Sequence, residues 1–105
     1  MKVIVADGKS LAFEDQLNQL IKLTKTMAKE IGYVVPVFYR VQAQKGNLLL
    51  LMVNTSVVGF CNFNIRQKDK VAVIYEIATH PGIRGKGGGK MLIRSEEHTS
   101  ELQSH

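Results

Sequence analysis

The chain contains no tryptophan, two prolines and a single cysteine. One cysteine, Cys61, excludes an intrachain disulfide framework, and His80, His98 and His105 are too scattered to supply a zinc-ligand spacing. No metal is expected. Long hydrophobic runs are missing as well, since nothing approaches the roughly 18 apolar residues that span a bilayer. Lys2 ahead of Val3, Ile4, Val5 and Ala6 makes neither the charged nor the long apolar region of a signal peptide. No membrane association is expected, and a cytoplasmic chain is the default. What is present, 105 residues of which 45% are hydrophobic and 22% charged, is the composition of one globular domain with one core.

Acidic residues are also scarce, nine against fourteen basic ones. Three of the nine, Glu96, Glu97 and Glu101, fall between Arg94 and His105, where the composition changes abruptly. That segment, RSEEHTSELQSH, resembles over all twelve positions the direct translation of a common sequencing-library adapter. It is expected to be a non-native tail on a gene cut short, and its polar residues around one leucine, Leu102, offer a helix little apolar face. Residues 1–93 by themselves hold 13 basic and six acidic residues, a net charge of +7.

Hydropathy patterning predicts a short strand over Lys2 to Asp7, ended by the turn dipeptide Asp7-Gly8. A helix over Leu11 to Ile31 follows, with Ser10 placed to cap it and Gly32 to stop it. Phe13, Leu17, Leu20, Ile21, Thr24, Met27, Ala28 and Ile31 recur there at three- and four-residue steps. Pro36 suits a first helical turn, so Val37 to Gln44 is read as a second helix, although Val37, Phe38, Tyr39 and Val41 also suit a strand. Asn47 to Val53, a continuous apolar run, fits a strand buried on both faces. Val57 to Arg66 and Val71 to Thr79 complete an antiparallel meander, with Gln67 to Lys70 as the turn between them.

One segment carries chemistry. His80-Pro81-Gly82-Ile83-Arg84-Gly85-Lys86-Gly87-Gly88-Gly89-Lys90 holds five glycines and three cations in eleven residues. Glycines let the backbone turn its N–H groups inward, and a helix starting at Gly88 to Ile93 adds a partial positive charge, so the segment suits phosphate. A nucleoside-triphosphate loop is excluded, because Arg84 stands where its first glycine is required and Met91 follows Lys90 in place of Ser or Thr. The dinucleotide fingerprint fails too, with Lys90 at its third glycine position.

What is left is Arg84-x-x-Gly87-x-Gly89 directly after the strand Val71 to Thr79. With the wider run Tyr75 to Ile93, it resembles the GNAT superfamily of N-acetyltransferases, whose hallmark is (Gln/Arg)-x-x-Gly-x-(Gly/Ala) between a central strand and a helix. The resemblance extends back through Val58-Gly59-Phe60 and the N-terminal helices to cover residues 1–93. It implies an α/β fold with a mostly antiparallel sheet, and a partial domain whose C-terminal half, with a further strand and a Tyr general acid, is missing. It also implies acetyl-CoA as cosubstrate. Main-chain N–H groups from Arg84 to Gly89 would hold its pyrophosphate, so Arg84, Gly85, Lys86, Gly87, Gly88, Gly89 and Lys90 are candidate cofactor residues. The pantetheine arm would pair with main-chain groups of Ile77 and Thr79 across Ala78, a bulge there aiming an N–H at the thioester carbonyl.

The implied reaction is direct attack of an amine on the thioester, and the amine attacks only when neutral. Glu76 is the candidate base and Tyr75 its neighbour. By alternation Tyr75 shares a face with Val73 and Glu76 with Ile74, so only one of the pair faces the acceptor unless a bulge resets the phase. For Glu76 a surface role, exposed or paired to a lysine, competes. His80 is read as a loop residue and Cys61 as a buried, inert thiol. The acceptor, small molecule or protein, is open, and low transfer is expected from a shortened chain. The unpaired outer edge of Val71 to Thr79 is expected either to pair with another chain, giving a homo-oligomer, or to leave the domain marginally stable. The alternative function is a non-catalytic basic binding module for nucleic acid or a protein partner, using Arg66, Lys68, Lys70, Arg84, Lys86 and Lys90.

Overall fold

The computed structural model of the chain describes residues 1–27 and 35–103, with side chains as far as Ser95. In chain order the elements are β1 (Lys2–Val5), α1 (Phe13–Thr26), α2 (Pro36–Gln44), β2 (Leu48–Val53), β3 (Ser56–Arg66), β4 (Val71–Thr79), a 3-10 turn (Pro81–Ile83) and α3 (Gly88–Gln103). The four strands form one antiparallel sheet in the order β1-β2-β3-β4, so the expected meander is present. α3 continues through the adapter-like segment as far as Gln103. Among the described residues no helix is long and apolar enough to cross a membrane.

The continuous apolar run of β2 is explained by cover on both faces. Leu48, Leu50 and Met52 join Phe13, Leu17, Leu20 and Leu23 of α1 on one side, and Leu49 and Leu51 meet Leu92 of α3 on the other. β3 divides its residues the same way, Phe60 toward α1 and Cys61, Phe63 and Ile65 toward α3. Cys61 is fully buried, as its neighbours suggested.

α1 begins later than its periodicity predicts. The Ala12 N–H donates to Ser10 Oγ (3.2 Å) and the Phe13 N–H to the Ser10 carbonyl (3.1 Å), so Ser10 builds a turn before the helix rather than capping it. Ala12 takes the cap position without a side-chain bond. The expected end of this helix, Ala28 to Gly32, lies outside the described residues. α2 is helical because Pro36 opens it and Tyr39, Gln42 and Ala43 then bury one face at helical spacing. Arg40 ties the two helices: its guanidinium binds Glu14 through both carboxylate oxygens (2.5 and 3.1 Å) and lies 5.7 Å from the Phe13 ring centre. The hydrogen bonds and charge of Arg40 hold the Glu14 carboxyl below its ordinary value.

β4 is an edge strand, with no partner on its outer side among the described residues. Its inner side is unusually close to β3 at Gly59, where an added Cβ would stand 2.8 Å from the Ala78 carbonyl oxygen. Because that oxygen belongs to the backbone, only a shift of the strand can relieve the contact. Gly59→Ala is therefore expected to cost about 2–3 kcal/mol of stability. Urea unfolding checks this, and an unchanged midpoint would contradict the close approach.

The register along β4 breaks once. Asn62 faces Glu76 while Phe63 faces Ile74, which leaves Tyr75 as an extra residue on β4. This corrects the expected position of the bulge, Ile77 to Thr79, to a point two residues earlier than Ile77. The extra residue also inverts the phase of alternation. Ala72 packs with the α3 face and Ala78 with the α1 face, although both are even-numbered.

Candidate functional site

The sequence after β4 makes a hydrogen-bonded turn and then a helix start. Pro81 opens the 3-10 turn, and the Gly82 N–H donates to His80 Nδ1 (3.0 Å), so His80 serves the loop as expected. Gly85 and Gly87 both have φ of +86°, the left-handed region that glycine enters without strain. Hydrogen bonding within α3 starts with the Met91 N–H on the Gly87 carbonyl (3.1 Å). The N–H groups of Gly88, Gly89 and Lys90, in the first helical turn, therefore have no intrahelical acceptor and point with the positive end of the helix dipole. Two of the N–H groups assigned to phosphate are used otherwise: that of Arg84 donates to the Pro81 carbonyl (3.4 Å) and that of Lys86 to the Ile83 carbonyl (3.2 Å).

The three consecutive glycines have different tasks. A Cβ on Gly89 would meet nothing within 4 Å, and Gly89 lines a cleft. One on Gly88 would come 2.6 Å from Leu51 Cδ2, so Gly88 lets α3 approach the buried strand β2. Its missing side chain therefore serves packing rather than opening the site.

The cleft has a volume of about 420 Å³ and is lined by Met27, Ile77, Ala78, Thr79, Arg84, Gly89 and Ile93. It thus brings together five of the residues singled out for a cofactor, from the end of β4, the glycine loop and the beginning of α3. Among the described residues, the side of β4 that faces it has main-chain groups without a partner strand. The His80 N–H bonds to the Val58 carbonyl (2.7 Å), in register with the pairing of Ala78 with Phe60 and of Glu76 with Asn62. Alternate residues of an antiparallel strand bond to the same neighbour, so Ile77 and Thr79 turn their N–H and C=O groups outward.

Glu76 and Tyr75 both turn toward α2. The Tyr75 ring centre lies 6.1 Å from that of Phe38, while Glu76 accepts from the Tyr39 hydroxyl at Oε2 (3.2 Å) and from Asn62 Nδ2 at Oε1 (3.1 Å). Alternation alone lets only one of them face this side, and the exception it leaves open holds: the bulge at Tyr75 resets the phase. Glu76 also has neutral donors as its partners in place of a lysine. Burial, then the charge of Glu76, push the Tyr39 phenol well above its ordinary ionisation range.

The basic residues do not gather into one patch. Arg66, Lys68 and Lys70 sit at one end of β4 and Arg84, Lys86 and Lys90 follow the other, a strand of about 30 Å apart. Arg66 is moreover bound through both oxygens of Asp69 (2.9 and 2.6 Å). Sequence reasoning passed over Met27 and Ile93 in the cleft, since each continues an apolar helical stripe. It also passed over Tyr39, Gln42 and Asn62. For the last two a signal existed: an amide inside an apolar helix face or between buried strand residues needs a partner.

Residues 15–101 match the model of the Acetyltransferase (GNAT) family. Among solved structures the chain is similar to an aminoglycoside acetyltransferase from an uncultured soil metagenomic sample in complex with sisomicin. The TM-score is 0.75 at 16% identity, over 98% of this chain and 71% of that one. A Mycobacterium tuberculosis protein in complex with CoA gives a TM-score of 0.78 at 16% identity, over 99% of this chain and 60% of that one. Diaminobutyrate acetyltransferase from Paenibacillus lautus, in complex with L-2,4-diaminobutyric acid and coenzyme A, gives 0.75 at 10% identity, over 90% and 55%. These likenesses concern the fold, and the chain spans between 55% and 71% of those three lengths. No curated protein sequence matches it.

Proposed function

The chain belongs to the GNAT acetyltransferase family, and from that premise we propose that it transfers an acetyl group from acetyl-CoA to an amine acceptor. The observation that carries the reading is one cleft bounded by two kinds of binding group, the helix-start backbone at Gly89 and the outward edge of β4 at Ile77 to Thr79. The pyrophosphate is held by the N–H groups of Gly88, Gly89 and Lys90, with Arg84 and Lys86 adding positive charge. The pantetheine amides pair with Ile77 and Thr79 as an added strand would. The thioester then lies toward the bulge at Tyr75, beside Glu76.

There the amine nitrogen bonds to the carbonyl carbon, the carbon–sulfur bond breaks, and CoA leaves as the thiolate. Glu76 receives the proton that the nitrogen loses, directly or through one water. Tyr75 and Phe38 form the aromatic wall of the acceptor side. A basic module without catalysis is less favoured, since its six cations are divided between the two ends of β4.

Calorimetry of acetyl-CoA binding to the chain, followed by a thiol-release assay on a panel of primary amines, tests the proposal. The panel includes an aminoglycoside, 2,4-diaminobutyric acid and a short peptide. Saturable binding at one site and amine-dependent thiol release are expected. Absence of acetyl-CoA binding would overturn the proposal.

A further inference from the structure

We propose that Gln42, Asn62 and Tyr39 form a directional hydrogen-bond relay that fixes the Glu76 carboxylate, and that all three are positioning residues for acetyl transfer. The inference rests on the reading of Glu76 as the group that takes the amine proton.

The direction follows from an atom that has no choice. The Phe63 main-chain carbonyl can only accept, so the end of Gln42 that lies 2.7 Å from it is the NH2 group. The same nitrogen is 2.8 Å from the Asn62 side chain, which must therefore present its oxygen. That leaves the Asn62 NH2 group for Glu76 Oε1 (3.1 Å). The second oxygen of Glu76 is held by the Tyr39 hydroxyl (3.2 Å), from the same helix as Gln42. Tyr39 is itself fixed, its ring meeting Phe60 edge-on with centres 5.7 Å apart. Burial and the Glu76 charge favour its protonated form, which keeps it a donor.

Stability explains only the first bond of this arrangement, in which Gln42 satisfies the buried Phe63 carbonyl. Gln42, Asn62 and Tyr39 are each no more than 1% exposed, on a face otherwise built from Phe13, Leu48, Leu50 and Phe60. At Asn62 and Tyr39, apolar side chains of the same volume would fill it with fewer polar groups to satisfy. The relay instead begins at a main-chain oxygen of a buried strand and ends on a half-buried carboxylate one residue from Ile77, which lines the cleft. The bulge completes the device: were Tyr75 paired regularly with Asn62, Glu76 would stand opposite Cys61 on the α3 face, away from Tyr39 and Gln42.

Two measurements on the full chain decide the matter. In steady-state kinetics Tyr39→Phe is expected to lower kcat about ten-fold, the effect of one hydrogen bond to a charged group, with KM for acetyl-CoA unchanged. Made in a Glu76→Gln background, the same substitution should cause no further loss, because Tyr39 acts through Glu76. A ten-fold loss in both backgrounds would assign Tyr39 a purely structural role and overturn the relay. If Glu76→Gln alone keeps full kcat, the reading of Glu76 fails, and the relay with it.

The second measurement needs no turnover. Of the three tyrosines, the one assigned by Tyr39→Phe should ionise at lower pH in Glu76→Gln than in the parent, followed by ultraviolet absorbance. An identical tyrosine titration in the two proteins would overturn the relay whatever the kinetics show. Gln42→Met, which can donate to neither Phe63 nor Asn62, is expected to lower kcat about as much as Tyr39→Phe. Full kcat in Gln42→Met would also overturn it.

Discussion

Glu76→Gln is expected to lower kcat for acetyl transfer by about a hundred-fold, the lower end of what a positioned general base contributes. The substitution keeps the volume of the side chain and removes its ability to take a proton. It also turns one acceptor into a donor. Oε1 and Oε2 both receive hydrogen bonds, from Asn62 and Tyr39, and a glutamine amide keeps both only when the Tyr39 hydroxyl turns from donor to acceptor. A stability loss of about 1 kcal/mol should accompany the kinetic one, because two bonds to a charged group become neutral ones. Affinity for acetyl-CoA should be kept, because Glu76 is not among the residues that line the cleft. Thiol release at saturating acetyl-CoA, with binding measured separately, checks both halves. Retained turnover would remove Glu76 from the reaction.

Gly89→Glu should have the opposite signature. Its Cβ meets open space and its backbone is helical, so the variant folds without strain. A carboxylate in the first turn even favours the free helix through its dipole. The same carboxylate lies at the lining of the cleft and repels phosphate there. Affinity for CoA is expected to fall about ten- to a hundred-fold, with the melting temperature at or slightly above that of the parent. Gly87 would be a poorer site for the experiment, since its φ of +86° adds strain to any side chain. Equal CoA affinity in parent and variant, measured by calorimetry, would contradict the location of the anion site.

The elements were legible wherever local chemistry decides them. β2 announces burial on both sides by five consecutive apolar residues, Leu48 to Met52, and Pro36 opens α2 despite strand-forming neighbours. The glycine loop was legible because its spacing excluded other phosphate binders and its flanking elements fitted one family. What escaped depends on neighbours distant in sequence. Alternation along β4 assigns Glu76 to the wrong face, since the extra residue at Tyr75 is defined only by pairing with Asn62 and Phe63. The partners of Glu76 come from α2 and β3, and no local pattern joins Tyr39, Gln42 and Asn62 to it. Likewise Gly88 and Gly89 are alike in sequence, and only the approach of Leu51 separates a packing glycine from one that faces the cleft.

The central claim is that the start of α3 and the outer edge of β4 together form the CoA cleft. Amide resonances recorded during a CoA titration of the isotope-labelled chain test it most directly. The account predicts the largest shifts at Gly87, Gly88, Gly89 and Lys90, with a second group at Ile77 and Thr79. Shifts confined to the groove between β1 and α1, at Lys2, Asp15, Gln16 and Thr55, with the loop amides unmoved, would contradict it.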